Sequence, residues 1–387
     1  MTPSPQQQAL LAQARQALGR GQAAEALKYL DECERLGRTH HGVLSRALTL
    51  KVMGRLPEAL AAMDEALEME PYDFAALLAK GAILEDLKAP KQAIEVFRNA
   101  LKIAPARDRC PPGLLAQLNH AAQKIETETK ALAQYMQARV APLRGRLSSE
   151  AQDRFDEGLD IYSGLAKPAP QMPLLMHYPR LPPLGFYERR FFPWLEQLEA
   201  ATPVIVEELT EVLETRFERF APYIAYPKGA PVNQWKTLNH SNKWTSLFLW
   251  NNGTKVEEVC AACPRTAALL ETLPMADQEG FAPTAMFSAL QPHTHIPAHT
   301  GSSNVRLLTH LPLILPGPAR FRVGNRTRDW EMGKAWVFDD TIEHEAWNDA
   351  DGLRVILIFD IWNPFIEDEE KALITEMMAA RRDFMNA

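Results

Sequence analysis

The sequence predicts a multidomain α + β chain. A helical-repeat half comes first, then a proline-rich segment, then an all-β sandwich or barrel with flanking helices. Three observations predict this. A helical pattern recurs at a spacing of 33 to 34 residues over the first hundred positions. Prolines crowd the stretch from Lys167-Pro-Ala-Pro to Leu181-Pro-Pro-Leu. Short alternating or apolar runs separated by Gly, Pro, Asn and Asp follow in the last third. At 387 residues and ~150 per domain, two or three domains are expected.

Composition narrows the class. Hydrophobic residues make up 46% and charged residues 24%, ordinary globular values that exclude wholesale disorder. The 42 basic and 49 acidic residues give a net charge of −7. No long basic run appears, so no nucleic-acid partner is expected. Four cysteines are too few for a disulfide scaffold in a chain of this length. The N-terminus has no basic residue before Arg15 and does not read as a secretory signal. No run of ~18 apolar residues suggests a membrane span, so the expectation is a cytoplasmic protein without a membrane partner.

Glu58-Ala59-Leu60 followed by Met63, Ala66 and Pro71 recurs 34 residues on as Gln92-Ala93-Ile94, Phe97, Ala100 and Pro105. A weaker match, Glu25-Ala26-Leu27 with Leu30 and Cys33, precedes them. A small residue, a large one four later and another small one three after that let two helices approach with one side chain filling the groove, and Pro stops the helix. This is the second helix of a tetratricopeptide repeat. Leu77, Gly81 and Leu84, with Val43, Ala47 and Leu50 before them, fit the first helices. Two clear repeats and one partial repeat are expected over 1–110. Such units need a neighbour or cap. Residues 111–166 supply one, with helices expected at 113–140 and near 148–164.

The proline-rich segment, 167–185, reads as a linker or extended strap. The domain that follows, 186–387, opens with a helix near 193–216. Strands are expected at Thr284–Leu290, Val305–Leu315, Ala319–Val323, Ala335–Phe338 and Arg354–Ile361, and a closing helix at 366–385. Five of the ten histidines, His293, His295, His299, His310 and His344, fall on or beside these strands. Imidazoles aimed inward from strands are a common metal-binding device. A core histidine satisfied by a hydrogen bond is the plain alternative for any one of them.

The segment Pro297-Ala-His299-Thr-Gly301-Ser-Ser-Asn304-Val-Arg306-Leu-Leu-Thr-His310 resembles the aspartyl/asparaginyl β-hydroxylase family of 2-oxoglutarate-dependent oxygenases. So do Phe338-Asp-Asp340-Thr-Ile-Glu343-His344-Glu345-Ala-Trp347-Asn348, Arg354, and Asp360-Ile-Trp362-Asn363-Pro364. Upstream, Trp244 to Trp250 and Pro264-Arg-Thr266 continue the likeness, which covers roughly residues 180–370.

The resemblance implies a double-stranded β-helix (jelly roll) that binds Fe(II) through His299 and His344 and uses 2-oxoglutarate and O2. Gly301 stands where most such oxygenases carry a carboxylate ligand. Asp340 would hold iron-bound water from outside the ligand set. Arg354 and Ser288 would take the far carboxylate of 2-oxoglutarate, and His310 the nearer one. Arg306 would be an inward cation near substrate, with a surface strand Arg as its plain alternative. The implied reaction hydroxylates the β-carbon of an Asp or Asn residue in a peptide or protein that the repeats also grip, releasing succinate and CO2.

Leu308 and Met286 stand where vertebrate-type members tend to carry basic residues, which weakens an acidic side-chain substrate. Cys260 matches one of the family's cysteines, but Ala267 stands at its partner position. Cys263 makes a C-x-x-C that could be redox-active, metal-binding or two ordinary thiols. Two rivals remain open. One is a cupin-type metalloenzyme ligating through His293, His295, His299 and His344 without 2-oxoglutarate. The other is a peptide-binding repeat scaffold with an inactive β-domain. A lipid-hydroxylating relative is a third reading, against which the lack of a basic amphipathic anchor counts.

Overall fold

The computed structural model describes residues 3–387. The chain divides into two compact units, Met1–Arg146 with Tyr162–Leu165, and Leu147–Ile161 with Ala166–Ala387. None of the described helices is long and apolar enough to cross a membrane.

The first unit is a row of tetratricopeptide-like helix pairs: α1 (Pro5–Gly19) with α2 (Ala23–Arg35), α3 (His40–Val52) with α4 (Leu56–Met69), and α5 (Phe74–Asp86) with α6 (Pro90–Lys102). A side-chain N-cap starts the first helix of every pair: Ser4, Thr39 and Asp73 accept from Gln7, Gly42 and Ala76 backbone N–H groups. Pro57 and Pro90 begin α4 and α6, where a missing N–H costs nothing. The small-large-small triplets Ala26/Leu30/Cys33, Ala59/Met63/Ala66 and Ala93/Phe97/Ala100 are all exposed by no more than 2%. The partial first repeat is therefore a full helix pair. At Gly81 a Cβ would run into the Phe97 ring, so glycine is what lets α5 and α6 close. The long α7 (Pro112–Val140) follows, burying Leu118, Ala121 and Ala133.

The second unit begins with α8 (Ser149–Ser163) and the proline-rich strap. Its expected helix near 193–216 is two helices, α9 (Leu195–Ala200) and α10 (Thr202–Thr215), with Pro203 in the first turn of α10. The strands are β1 (Ala221–Pro222), β2 (Trp244–Asn251), β3 (Thr254–Lys255), β4 (Ala285–Leu290), β5 (Thr294–His299), β6 (Arg306–Ile314), β7 (Ala319–Val323), β8 (Arg326–Asp329), β9 (Trp336–Phe338), β10 (His344–Asn348) and β11 (Arg354–Trp362). Helices α11 (Glu257–Ala262) and α12 (Pro264–Thr272) lie between β3 and β4, and α13 (Asp368–Asn386) closes the chain.

The strands form a jelly roll. One sheet runs β1-β2-β4-β11-β6-β9 with β3 on β2, and the other β5-β10-β7-β8. Six strands, β1, β2, β3, β5, β8 and β10, escaped the sequence reading, and two of them bear on the site. β5 carries Pro297, which a sheet tolerates on an edge, and β5 is an edge. β10 is His-Glu-Ala-Trp-Asn, whose polar members hid an alternating burial pattern.

The larger sheet is buried on both faces, and period two sorts its residues. Val355, Leu357, Phe359 and Ile361 of β11, with Leu307, Leu311 and Leu313 of β6 and Phe287 of β4, pack against Leu198, Ile205 and Leu209 of α9 and α10. The intervening residues, among them Met286, Leu290, Ile356 and Ile358, pack between the sheets with Ile296, Phe321 and Phe338. Glu208 of α10, 4% exposed, ties this helical layer together. Its carboxylate accepts from the backbone N–H groups of Arg265 and Thr266 at 2.8 and 2.9 Å and from the Thr266 hydroxyl at 2.7 Å.

Two stability outcomes follow. Gly81→Ala is expected to cost ~1–3 kcal/mol by overpacking, read by urea unfolding, with Phe97→Leu in the same chain recovering part of the loss. Burial alone would raise the Glu208 carboxyl, but the hydrogen bonds from Thr266 and Arg265 win and hold it below its usual value. A lowered folded-state pKa gives stability that is full above the unfolded value and lost as pH falls through the folded one. Glu208→Gln should therefore lower stability at neutral pH and flatten its acid decline; an unchanged acid limb would contradict the assignment.

Candidate metal and anion site

A cavity of about 460 Å³ lies between the two sheets. Alternation on the larger sheet aims Ser288 (β4), Arg306 and His310 (β6), and Arg354 and Asp360 (β11) into it. The smaller sheet contributes His299 from β5 and His344 from β10, with Gly301 and Asp340 on the adjoining turns. The seven residues to which the family resemblance gives roles, His299, His344, Asp340, Ser288, His310, Arg354 and Arg306, all line this one cavity.

His299 and His344 are direct cross-strand partners in the β5–β10 pairing, which puts their ring centroids 4.1 Å apart. The Nδ1 atom of His299 sits 2.7 Å from the Pro297 carbonyl oxygen, and that of His344 3.0 Å from the Ile342 carbonyl oxygen. A carbonyl only accepts, so each Nδ1 carries the proton and each Nε2 presents a lone pair. Burial lowers both pKa values, His344 strongly, which keeps the rings neutral.

Gly301 explains itself by contact: a Cβ there would overlap the Asp340 carboxyl group. The space that a carboxylate side chain at 301 would fill is taken by a carboxylate from position 340. Burial and the neighbouring Asp339 push Asp340 up to about 8. Asp339 is itself held by the Thr341 N–H and hydroxyl and by the Gln171 amide, at 2.9, 2.6 and 2.6 Å. Gln171 belongs to the strap, whose backbone also bonds to the 301–302 and 341 segments: Met172 N–H to Thr341 at 2.7 Å and Leu174 N–H to Gly301 at 2.9 Å.

The other end of the cavity is cationic. Arg354 is 1% exposed, and burial lowers its pKa to about 9. Its Nε and Nη1 have no hydrogen-bond partner among the described residues, nor does the Nδ1 of His310 or the Nε1 of Trp330. The guanidinium lies 5.5 Å from the Trp330 ring centroid, and the His310 ring stacks on Trp330 at 5.5 Å and meets Phe338 edge-on at 4.6 Å. Ser288 accepts from Trp244 Nε1 at 3.0 Å, which leaves its own hydroxyl proton to donate. Buried donors facing a cavity with nothing to bond to mark a place for an acceptor-rich anion.

Arg306 is different. It donates to the Asp360 carboxylate at 2.6 Å and to the Phe281 carbonyl at 2.8 Å, so this cation is already neutralised. Burial raises Asp360 to about 6 against the pull of Arg306.

The remaining histidines correct the four-histidine metal reading. His293 pairs with Asp351 at 2.8 Å, and His295 pairs with Glu345 at 2.8 Å while stacking on Trp347. Both are exposed and neither lines the cavity, because the β5 pleat turns 295 outward while His299, past a register shift, faces in. Among the described residues no three His, Cys, Asp or Glu side chains group to hold a metal. Cys260 and Cys263 are free, buried thiols; burial, then Glu208, pushes Cys263 up to about 12. They are packing residues. Sequence reading overlooked Trp235, whose ring meets His299 edge-on at 5.0 Å, and Trp330. A tryptophan in an otherwise polar stretch, Arg-Thr-Arg-Asp-Trp330-Glu, was the available signal.

Residues 199–364 match the sequence family described as Aspartyl/Asparaginyl beta-hydroxylase. The Rhizobium tropici protein named ornithine lipid ester-linked acyl 2-hydroxylase is 37% identical over 195 residues, 49% of this chain and 65% of that protein. The mouse aspartyl/asparaginyl beta-hydroxylase is 33% identical over 181 residues, 46% of this chain and 24% of that protein. The chain thus spans less than two thirds of either relative. Among solved structures, the Sgt2 TPR domain from Aspergillus fumigatus has 17% identity and a TM-score of 0.30, covering 33% of this chain and 85% of that one. The family resemblance read from the sequence stands over the β-rich domain.

An unpaired buried cation destabilises the fold that holds it. Arg354→Met should raise the stability of the ligand-free chain by on the order of 1–3 kcal/mol in urea unfolding. A loss of stability would mean that the guanidinium has a partner after all.

Proposed function

We propose that this chain is an Fe(II)- and 2-oxoglutarate-dependent hydroxylase acting on the β-carbon of an Asp or Asn residue in a peptide or protein. The observation that carries the reading is the buried guanidinium of Arg354, whose Nε and Nη1 find no partner among the described residues, in the same cavity as two neutral imidazoles with free Nε2 lone pairs. A dicarboxylate that also touches a metal is the ligand chemistry this donor set suits. His299 and His344 would hold the iron. Bound iron and 2-oxoglutarate supply oxidative decarboxylation of the oxo acid by O2, with succinate and CO2 released and one oxygen delivered to a substrate carbon.

The chain's own residues do the rest. Arg354 binds one carboxylate with planar, paired N–H groups, and the Ser288 hydroxyl, its acceptor side occupied by Trp244, donates to the same group. His310 faces the nearer carboxylate. Asp340, packed where a side chain at 301 would lie, accepts or shares a proton with water beside the histidines. Trp235, Trp244, Phe321 and Phe338 wall the histidines and keep bulk water out. The helical repeats supply a second hold on a peptide.

The target residue is asparagine before aspartate. Arg306 is neutralised by Asp360, and Asp340 lies in the same cavity, so a second carboxylate would enter without a free counter-charge. An acyl chain is the second reading, favoured by the apolar lining of Phe248, Met286, Leu308 and Ile358 and by the name of the Rhizobium relative.

Anaerobic addition of Fe(II) and 2-oxoglutarate should give a weak visible charge-transfer band in the parent chain. His299→Ala and His344→Ala should each abolish it, whereas His293→Ala should not. Paired peptides differing only at Asn or Asp should show kcat/KM favouring Asn by roughly tenfold, about 1.4 kcal/mol. A one-oxygen mass gain confined to lipid acyl chains would hand the assignment to the second reading.

A further inference from the structure

The cavity mouth carries a surface that the hydroxylase reading does not use. Two segments bracket it. The strap contributes Leu174, 78% exposed, flanked by Met172 at 61% and Leu175 at 42%. The segment leading into β2 contributes Tyr223 and Ile224, with Tyr226 beyond them. Large apolar side chains left in water around the entrance of a cavity mark a place where another molecule lies.

The charge on these segments is one-sided. No Asp or Glu occurs between Glu218 and Glu257, or between Asp160 and Glu188, in a chain whose net charge is −7. Lys228, Lys236 and Lys243 fall in the first of these stretches. All three are exposed and none has an ion pair among the described residues, while most other surface cations in this unit, such as Lys255, Arg265, Arg320 and Arg322, are bonded to carboxylates. None of the three lines the cavity itself, but the chain carries them beside residues that do. Lys236 follows Trp235 and Lys243 precedes Trp244, both cavity-lining residues, and Lys228 lies four residues after Ile224. The loop holding Lys228 is pinned to the 239–240 turn by the Tyr226 N–H to Asn239 and the His240 N–H to the Ile224 carbonyl, each at 2.8 Å.

We infer that this rim docks an extended acidic peptide, with apolar residues against Leu174, Met172 and Tyr223 and carboxylates against Lys228, Lys236 and Lys243. The inference rests on the hydroxylase reading only for what happens to the residue that enters the cavity. A peptide suits the arrangement better than a bilayer, because Leu174 and Tyr223 belong to separate segments lining one opening and so bracket a slot. Three uncompensated lysines steer an anion toward the slot while the rest of the molecule repels it. The selectivity is split: acidic flanks are drawn to the rim, and the neutralised Arg306–Asp360 pair inside favours an uncharged side chain at the reacting position.

The test uses the full chain and three fluorescent peptides of one length, each with a central Asn and apolar neighbours, whose flanks are acidic, neutral or basic. Anisotropy reads docking without any requirement for turnover. The acidic peptide should bind at least tenfold tighter than the basic one, and its affinity should fall roughly tenfold on going from low to ~0.5 M salt. The triple variant Lys228→Glu, Lys236→Glu, Lys243→Glu should lose that preference with an unchanged thermal midpoint. Leu174→Ser should weaken all three peptides alike. Equal binding of the three peptides, or a triple variant that keeps the acidic preference, overturns the inference. So does capture of phosphatidylglycerol vesicles through the same lysines with no peptide bound. Docking without hydroxylation would instead count against the hydroxylase reading alone.

Discussion

A guanidinium buried between two sheets, with no carboxylate among the described residues to meet it, is the constraint around which the β-domain is organised. Water is excluded from Arg354, its burial pushes its pKa down to about 9, and two of its nitrogens go unbonded. Marginal stability leaves little room for such a cost unless the charge is completed by a ligand. The rest of the cavity is arranged in relation to that charge. Uncharged donors from Ser288, His310 and Trp330 stand near it, while the acidic groups Asp340 and Asp360 are paired or set beside the histidines at the other end.

The device that builds the site is the two-residue period of a strand. On β11 it sends Leu357 and Phe359 to the helical layer and Arg354 and Asp360 to the cavity; on β6 it does the same with Leu311 and His310. A one-residue slip would bury the cavity-lining polar set under α10 and expose aliphatic residues to the cavity. Register therefore sets the geometry of the cavity. The strap adds a second level of control, since its hydrogen bonds run to Gly301, Ser302, Thr341 and Asp339, the turns that carry or adjoin the histidines and Asp340. The segment that presents Leu174 to the entrance also braces the inner site, which couples the rim to the cavity through backbone bonds.

The helical unit follows a simpler rule. Small residues let helices touch, and one large residue per pair fills the gap, so the repeat is legible even where the usual aromatics are aliphatic. Gly81 against Phe97 shows how tight that packing is.

Periodicity, turn residues and motif order are local, and the sequence alone supplied what depends on them: the helix pairs, five of the strands, the family resemblance, and a set of residues, His299, His344, Arg354, Ser288, His310, Arg306 and Asp340, that the fold brings to one cavity. It left β5 out of the expected strands because Pro297 is tolerated in a strand only at an edge or a bulge, and edges are a property of the sheet. It left the four-histidine alternative open because spacing is blind to which face a side chain takes. Only the tertiary structure decided that His295 points to Glu345 while His299 meets His344, that Arg306 is spent on Asp360, and that Asp340 fills the place left by Gly301. Each of these is a contact between residues tens of positions apart, and such contacts are fixed by sheet register and burial, which no local pattern encodes.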